Sequence, residues 1–251
     1  MLTTQRKQEL LASLKENGQI VAKDMSVAMG VSEDTIRRDL RELAREGLLQ
    51  RVHGGALPAS PAMADFAGRE RLRHDGKMAI GATAAAMIEP GQVVILDGGT
   101  TAREVARHLP LDLKTTIVTH SPTIALELLN HTSIEVILIG GRFFKHSVVA
   151  VGAGAIEAIS QIRADIFFLG VTGVHPQTGL TTGDYEEAAV KRALSHAAAE
   201  TFVLASAEKL NAASPYAVIG LDEVNGIITE RSVDEDLIKP YKERGITVLC
   251  A

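Results

Sequence analysis

The sequence predicts an α/β protein in which an N-terminal winged helix-turn-helix is joined to a larger α/β domain with a mainly parallel sheet. Two observations carry that prediction. Residues 3–57 set out helix, helix, glycine turn, basic helix and Gly-Gly wing in the order of a DNA-reading head. From residue 93 onward, short continuous apolar runs alternate with helical stretches, as parallel strands do when helices cover both faces of their sheet.

In the head, Leu10, Leu11 and Leu14 recur at helical spacing and stop at Asn17-Gly18, a C-terminal cap signal. A second, short helix is expected over residues 22–29, closed by Gly30. Ser32 is a good N-cap for the third helix, with Glu33 and Asp34 in the first turn, where the helix dipole favours anions. Ile36, Leu40 and Leu43 then form one apolar stripe, and Arg37, Arg41 and Arg45 make a basic row beside it. Residues 48–52 read as a strand, and His53-Gly54-Gly55 as a turn that tolerates positive φ.

Residues 58–75 start with Pro, Ala, Ser and Gly, continue with alternating charges and have no period. The expected division is therefore a DNA-binding domain at 1–57, a linker at 58–76 and an effector-sensing α/β domain at 77–251. That last domain opens with a helix over 77–88 (Ile80, Ala84, Met87, Ile88). Seven apolar β-runs follow, at 93–96, 116–119, 136–139, 166–169, 202–205, 226–229 and 246–250. Helical stretches at 102–108, 122–129 and 187–199 separate several of them.

Composition narrows the function classes. With 46% hydrophobic residues, a chain of this length builds a core that needs no metal or disulfide. Cys250 is the single cysteine, which rules out an internal disulfide and a Cys-rich metal site. The eight histidines are scattered without ligand spacing, so no metal and no cofactor is expected. No stretch reads as a leader or a membrane span, and a soluble, cytoplasmic protein is expected. The net charge of −5 is not that of a typical DNA-binding protein. Residues 1–55, however, carry nine Lys/Arg against eight Asp/Glu, so the head is +1 and the remainder −6. Placement of the basic residues, not their sum, has to carry a DNA-binding reading.

A recognition helix meets base edges with its N-terminal part. Here that part offers Ser32, Glu33, Thr35 and Arg38, with Arg37 and Arg41 beside them, and the wing adds Arg51, His53 and Gly54. Arginine forks onto guanine or clamps phosphate, and Ser and Thr mostly anchor phosphates. The bland alternative is a solvated charged face paired with Asp34, Glu42 and Glu46, but that leaves the turn and the wing unexplained.

In the second part, "VVILDGGTT" (93–101) is a buried strand, a glycine turn and a helix start, which together present free N–H groups to an anion. Asp97, Gly98, Gly99, Thr100 and Thr101 are the candidates there, with Asp97 holding either sugar hydroxyls or a backbone turn. Three further strand ends repeat the design. His120-Ser121 leads into Pro122, with Ser121 as the expected N-cap; Gly141-Arg142 follows the third strand, and Thr172-Gly173 the fourth. Ligands of open α/β sheets sit beyond such carboxyl ends. Lys209 is a candidate phosphate partner, and Glu186 a candidate pocket residue beside Glu187, Lys191 and Arg192.

These residues carry a family resemblance. "VSEDTIRRDLRELAREGLLQRVHGGAL" (31–57) resembles the DeoR family of bacterial transcription regulators, whose hallmark is a T-I-R-R-D-L recognition helix and an R-x-H-G-G wing. The resemblance extends along nearly the whole chain, through the D-x-G-T-T, G-G, F-L-G, G-L-T-T and V-K-R signatures at 97–101, 140–141, 168–170, 179–182 and 190–192. It departs at His120, where the family usually has Asn, and at Ser206, where Asp is usual; Lys209 is kept. The family implies an effector domain similar to the sugar-phosphate isomerase and CoA-transferase folds. It also implies a phosphorylated sugar or related metabolite that changes DNA affinity.

Two functions compete at this stage. The first is a repressor of a carbohydrate-catabolism operon, a homodimer or homotetramer on double-stranded operator DNA, released by such an effector. The second is a sugar-phosphate isomerase-like enzyme with an accessory DNA-binding head, which would need a matched acid and base that Asp97, Glu186 and His120 do not by themselves supply. An activator is a third possibility.

Overall fold

The computed structural model describes residues 2–251. The head contains α1 (Thr3–Asn17), β1 (Ile20–Val21), α2 (Ala22–Met29), α3 (Glu33–Arg45), β2 (Leu49–Val52) and β3 (Gly55–Pro58). Leu10, Leu14, Ile36, Leu40, Leu43 and Leu49 are buried together, so the stripes of α1 and α3 face one small core. Gly18 and Gly30 end α1 and α2 at φ +70° and +63°, a region L side chains rarely adopt. The three strands pair antiparallel in the order β1-β3-β2, with β2 and β3 forming the wing. The two-residue β1 is too short to leave a sequence signal. Buried Arg6 on α1 and Asp39 on α3 form an ion pair that locks the recognition helix to the first helix, including an Nη2–Oδ1 hydrogen bond of 3.1 Å.

The segment expected as a linker is ordered. It holds a 3-10 turn at Pro61–Met63 and α4 (Phe66–Arg71), and α5 (His74–Ala85) begins inside it. A six-residue helix with no buried residue has no apolar stripe to show.

The rest of the chain runs through β4 (Val93–Leu96), α6 (Thr100–Arg107), β5 (Thr116–Thr119), α7 (Pro122–Glu127), β6 (Glu135–Leu138), β7 (Arg142–Phe144), β8 (Val149–Val151) and α8 (Ala153–Ser160). There follow β9 (Ala164–Gly170), β10 (Gly173–His175), β11 (Gly179–Thr182), α9 (Tyr185–His196), β12 (Ala198–Leu204), β13 (Tyr216–Ala217), β14 (Gly226–Thr229), α10 (Glu235–Lys242) and β15 (Val248–Cys250). Seven strands make one sheet in the order β15-β14-β12-β9-β4-β5-β6, and every pairing in it is parallel. These are the seven apolar runs of the sequence. Ile95, Phe167 and Leu169 point to one core and Val94, Leu96, Ile166 and Phe168 to the other, which is why the central runs at β4 and β9 are continuously apolar rather than alternating.

From β4 the chain builds outward through β5 and β6, then returns to β9 on the other side and builds outward again. The reversal lies between β4 and β9, and an open α/β sheet holds its crevice at the carboxyl ends of such a pair. Two small antiparallel sheets, β7-β8 and β10-β11-β13, were not anticipated, since strands of two to four residues carry too little pattern. Among the described residues no helix is long and apolar enough to cross a membrane.

Candidate functional site

The recognition helix is set by its cap and its buried stripe. The Ser32 hydroxyl accepts from the Thr35 N–H at 3.2 Å and lies 2.9 Å from its hydroxyl, so both residues serve the helix start. Ile36, Leu40 and Leu43 turn inward, which leaves Arg37, Arg38 and Arg41 exposed. Arg37 pairs with Glu33 one turn back, Nη2–Oε1 2.6 Å, so Glu33 neutralises that arginine. Arg38 and Arg41 have no ion-pair partner among the described residues, and an open groove lined by Asp34, Thr35, Arg37, Arg38 and Arg41 runs beside them. A second depression between Arg37 and the wing is lined by Arg51, His53 and Gly54. Seven of the nine DNA candidates line these two depressions, which meet at Arg37, and Ser32 and Glu33 sit at the start of the same helix.

The second site forms where the reversal of strand order places it. After β4, Asp97 is fully buried, and all of its bonds point into the protein. Its Oδ1 accepts from the Gly98 N–H at 2.7 Å and faces the His120 Nε2 at 2.8 Å. Its Oδ2 accepts from the Gly170 N–H at 2.8 Å and the Lys191 Nζ at 2.5 Å. Burial pushes the Asp97 carboxyl up, but the Lys191 charge and the His120 hydrogen bond outweigh it and hold the group down at about 2. The His120 Nδ1 lies 2.8 Å from the Ala150 carbonyl oxygen, so both ring nitrogens are held between oxygen atoms and the ring is fixed in place. Asp97 therefore ties together the ends of β4, β5 and β9 and the middle of α9.

Above this floor lies a cavity lined by Arg69, Lys77, Gly98–Thr101, Thr172, Thr182, Glu187, Lys191, Glu208 and Lys209, among others. Gly99, at φ +110°, turns the chain so that the first turn of α6, with its free N–H groups, faces the cavity. Lys191 is raised despite its burial, because Asp97 and Glu187 (Oε1 at 3.4 Å) face it. The other cations feel carboxylates only at longer range, Glu208 for Lys209 and Lys77, and Glu187 for Arg69, and burial outweighs them. Lys209 Nζ reaches only the Leu204 carbonyl (3.3 Å) and the Thr101 hydroxyl (3.4 Å), and burial lowers it to about 8. Burial likewise lowers Lys77, which donates to the Arg69 carbonyl, and the Arg69 guanidinium. Arg69 Nε and Nη2 are buried with no hydrogen-bond partner, as is Glu208 Oε2. No carboxylate among the described residues forms an ion pair with Arg69, Lys77 or Lys209.

Of the effector candidates, Gly98, Gly99, Thr100, Thr101, Thr172 and Lys209 line the cavity. Asp97, His120 and Ser121 lie beneath it, fully buried. Ser121 holds the N-cap position as expected, with Pro122 at the first helical position, but its hydroxyl makes no cap bond and donates instead to the Val148 carbonyl at 3.0 Å. Gly141, Arg142, Gly173 and Glu186 fall outside the lining. Gly141 lies against Val151 and Gly173 against Ala212 and Ala213. Arg142 and Glu186 pair with each other on the surface, because α9 turns Glu187 and Lys191, one helical turn apart, inward and Glu186 outward. Arg69 and Lys77 were missed: the first lies in a segment without period, and the second reads as a surface lysine near the start of a helix. Among the described residues no group of three or more His, Cys, Asp and Glu is placed to hold a metal.

Two family models match the chain, the DeoR-like helix-turn-helix domain over residues 6–61 and the DeoR C terminal sensor domain over residues 72–231. Among the curated relatives is the HTH-type transcriptional regulator GlpR of Haloferax volcanii, 34% identical, covering 99% of this chain and 98% of the relative. The HTH-type transcriptional repressor GlcR of Bacillus subtilis is 30% identical, covering 99% and 96%. A putative aga operon transcriptional repressor of Escherichia coli O157:H7 is 28% identical, covering 98% and 93%.

Proposed function

The chain belongs to the DeoR family of DNA-binding transcriptional regulators, and from that premise we propose that it represses a carbohydrate-catabolism operon and leaves its operator when a phosphorylated sugar or related metabolite fills the cavity at the β4–β9 reversal. The observation that carries this reading is the set of three buried or half-buried cations, Arg69, Lys77 and Lys209, gathered around the N-terminus of α6 with no carboxylate among the described residues at ion-pair distance. Buried charge is costly unless compensated, and a phosphate dianion compensates all three while accepting from the helix N–H groups. The unpartnered Glu208 Oε2 and the Thr172 and Thr182 hydroxyls supply what a polyol needs on its other end. The class of ligand is a phosphate monoester of a hydroxylated carbon chain.

In this reading residues 1–57 bind DNA, 58–76 join, and 77–251 sense. Arg38, Arg41, Arg51 and His53 contact the operator, while Ser32 and Thr35 anchor phosphate and hold the helix start. Paired subunits of a homodimer or homotetramer in the cytoplasm present two recognition helices to half-sites a helical turn, or a multiple of one, apart. The relatives named as regulators and repressors support this over the isomerase-like alternative. So does the saturation of Asp97, which leaves no free oxygen for acid–base chemistry. A titration of operator-bound protein with sugars and their phosphate esters tests the reading: the esters alone are expected to release DNA, and release by none of them refutes it.

A further inference from the structure

We propose that residues 59–73 form a strap that closes the cavity, and that a ligand enters only by displacing it, so that occupancy pulls on the wing. This rests on the cavity being an anion site, and adds how that site reports to the DNA-binding head. The cavity is narrow, with about 20 Å³ open to the centre of a water-sized sphere, less than a sugar phosphate needs. Ala62, Arg69 and Leu72 of the strap close it. An occupied state therefore has the strap further out than it is here.

The strap is built for local opening. Within it only Ser60 and Ala62 are buried, so few apolar contacts resist displacement. A handful of polar ties hold it instead: the Ser60 hydroxyl to the Thr172 carbonyl, the Phe66 N–H to the His146 carbonyl (3.0 Å), and Glu70 to Arg103 of α6 (2.5 Å). The Arg103 guanidinium also lies 5.7 Å from the Phe66 ring centre. At the far end Arg73 adopts φ +50°, uncommon for a residue with a side chain, so one end of the strap is already a bend under strain. At the near end the strap continues the wing strand directly, and Ala59 bridges to Ala213. Pro58, the last residue of the wing strand β3, pairs with Leu49 of β2, accepts from the Ala213 N–H at 3.2 Å and is followed directly by Ala59. Displacement of the strap therefore works against the wing.

Arg69 gives the ligand its hold on the strap. Its Nε and Nη2 are buried without partners while the strap is closed, and an anion satisfies them when it is open. The strap equilibrium is thus set by tie energy on one side and by the Arg69–anion pair on the other.

Glu70→Gln and Phe66→Ala cut outer ties without touching a residue that lines the cavity. With inorganic phosphate and glucose 6-phosphate as probes in calorimetry, each variant of the full-length protein is expected to bind about two- to fivefold more tightly, since an exposed tie is a fraction of a kcal/mol to one kcal/mol. Amide exchange at residues 60–72 is expected to quicken when either probe is bound. Arg69→Met is expected to weaken binding. Unchanged affinity in both tie variants, or equal or slower exchange on binding, overturns the strap while leaving the anion site standing. Failure of the wild-type protein to bind either probe removes both.

Discussion

A carboxylate out of reach of solvent is stable only where its oxygens are met by donors, and at Asp97 four donors meet them. Asp97→Asn keeps the shape but strands Lys191 and His120 beside a neutral amide, so a loss of about 3–5 kcal/mol is expected in denaturant unfolding, as for other broken buried pairs. The same residue sets an acid limit. Its carboxyl lies at about 2 in the fold against 3.8 unfolded, so its contribution of about 2 kcal/mol is whole above pH 3.8 and lost as pH falls toward 2. Lys209 behaves in the opposite sense. Burial holds it at about 8, below its unfolded value of 10.5, so the cost of its buried charge is present below pH 8 and eases as pH rises from there to 10.5. Anion affinity runs against that easing: phosphate binding by the full-length protein is expected to weaken as pH rises through about 8, as calorimetry at a series of pH values would record. In the head, Arg38→Ala is expected to cost about 1–3 kcal/mol of operator affinity and to relax one base position if the guanidinium forks onto guanine. An equal loss on all sequences would make it a phosphate contact.

At the scale of elements, capping and stripe decide what the sequence makes legible. The recognition helix was readable because Ser32, Ile36, Leu40 and Leu43 repeat the same message at different levels, and Ser32→Ala is expected to lower the stability of the head by about 1 kcal/mol in thermal unfolding. The central sheet strands were readable because both of their faces are buried, and the edge strands β6 and β15 because they keep a short apolar run although they are partly exposed. The strap was not, because α4 buries no side chain and its contribution is one arginine aimed inward. The pocket suffered the same asymmetry. Glycine turns at strand ends announce Gly98–Thr101, but whether Glu186 or Glu187 faces inward depends on the rotation of α9, which no spacing within that short stretch fixes. Lys77 and Lys191 look like surface lysines until the fold covers them.

The whole molecule joins a DNA-binding head to a sensor domain whose cavity gathers cations unpaired by any carboxylate among the described residues. Net charge conceals both, since the head is nearly neutral overall and the cavity's cations are offset by carboxylates elsewhere. What organises the second site is topology: the strand order reverses between β4 and β9, and the cations, the α6 N-terminus and the buried carboxylate all converge at that point. The most direct test is operator binding by fluorescence anisotropy, titrated with phosphorylated and unphosphorylated sugars, for the wild type and for Lys209→Met. At least one phosphate ester is expected to weaken wild-type binding while its parent sugar does not. Lys209→Met is expected to hold DNA as the wild type does and to need far more ester for release. Operator affinity that no ester changes, or release that survives unaltered in Lys209→Met, would rule out a phosphate-ester effector held by Lys209.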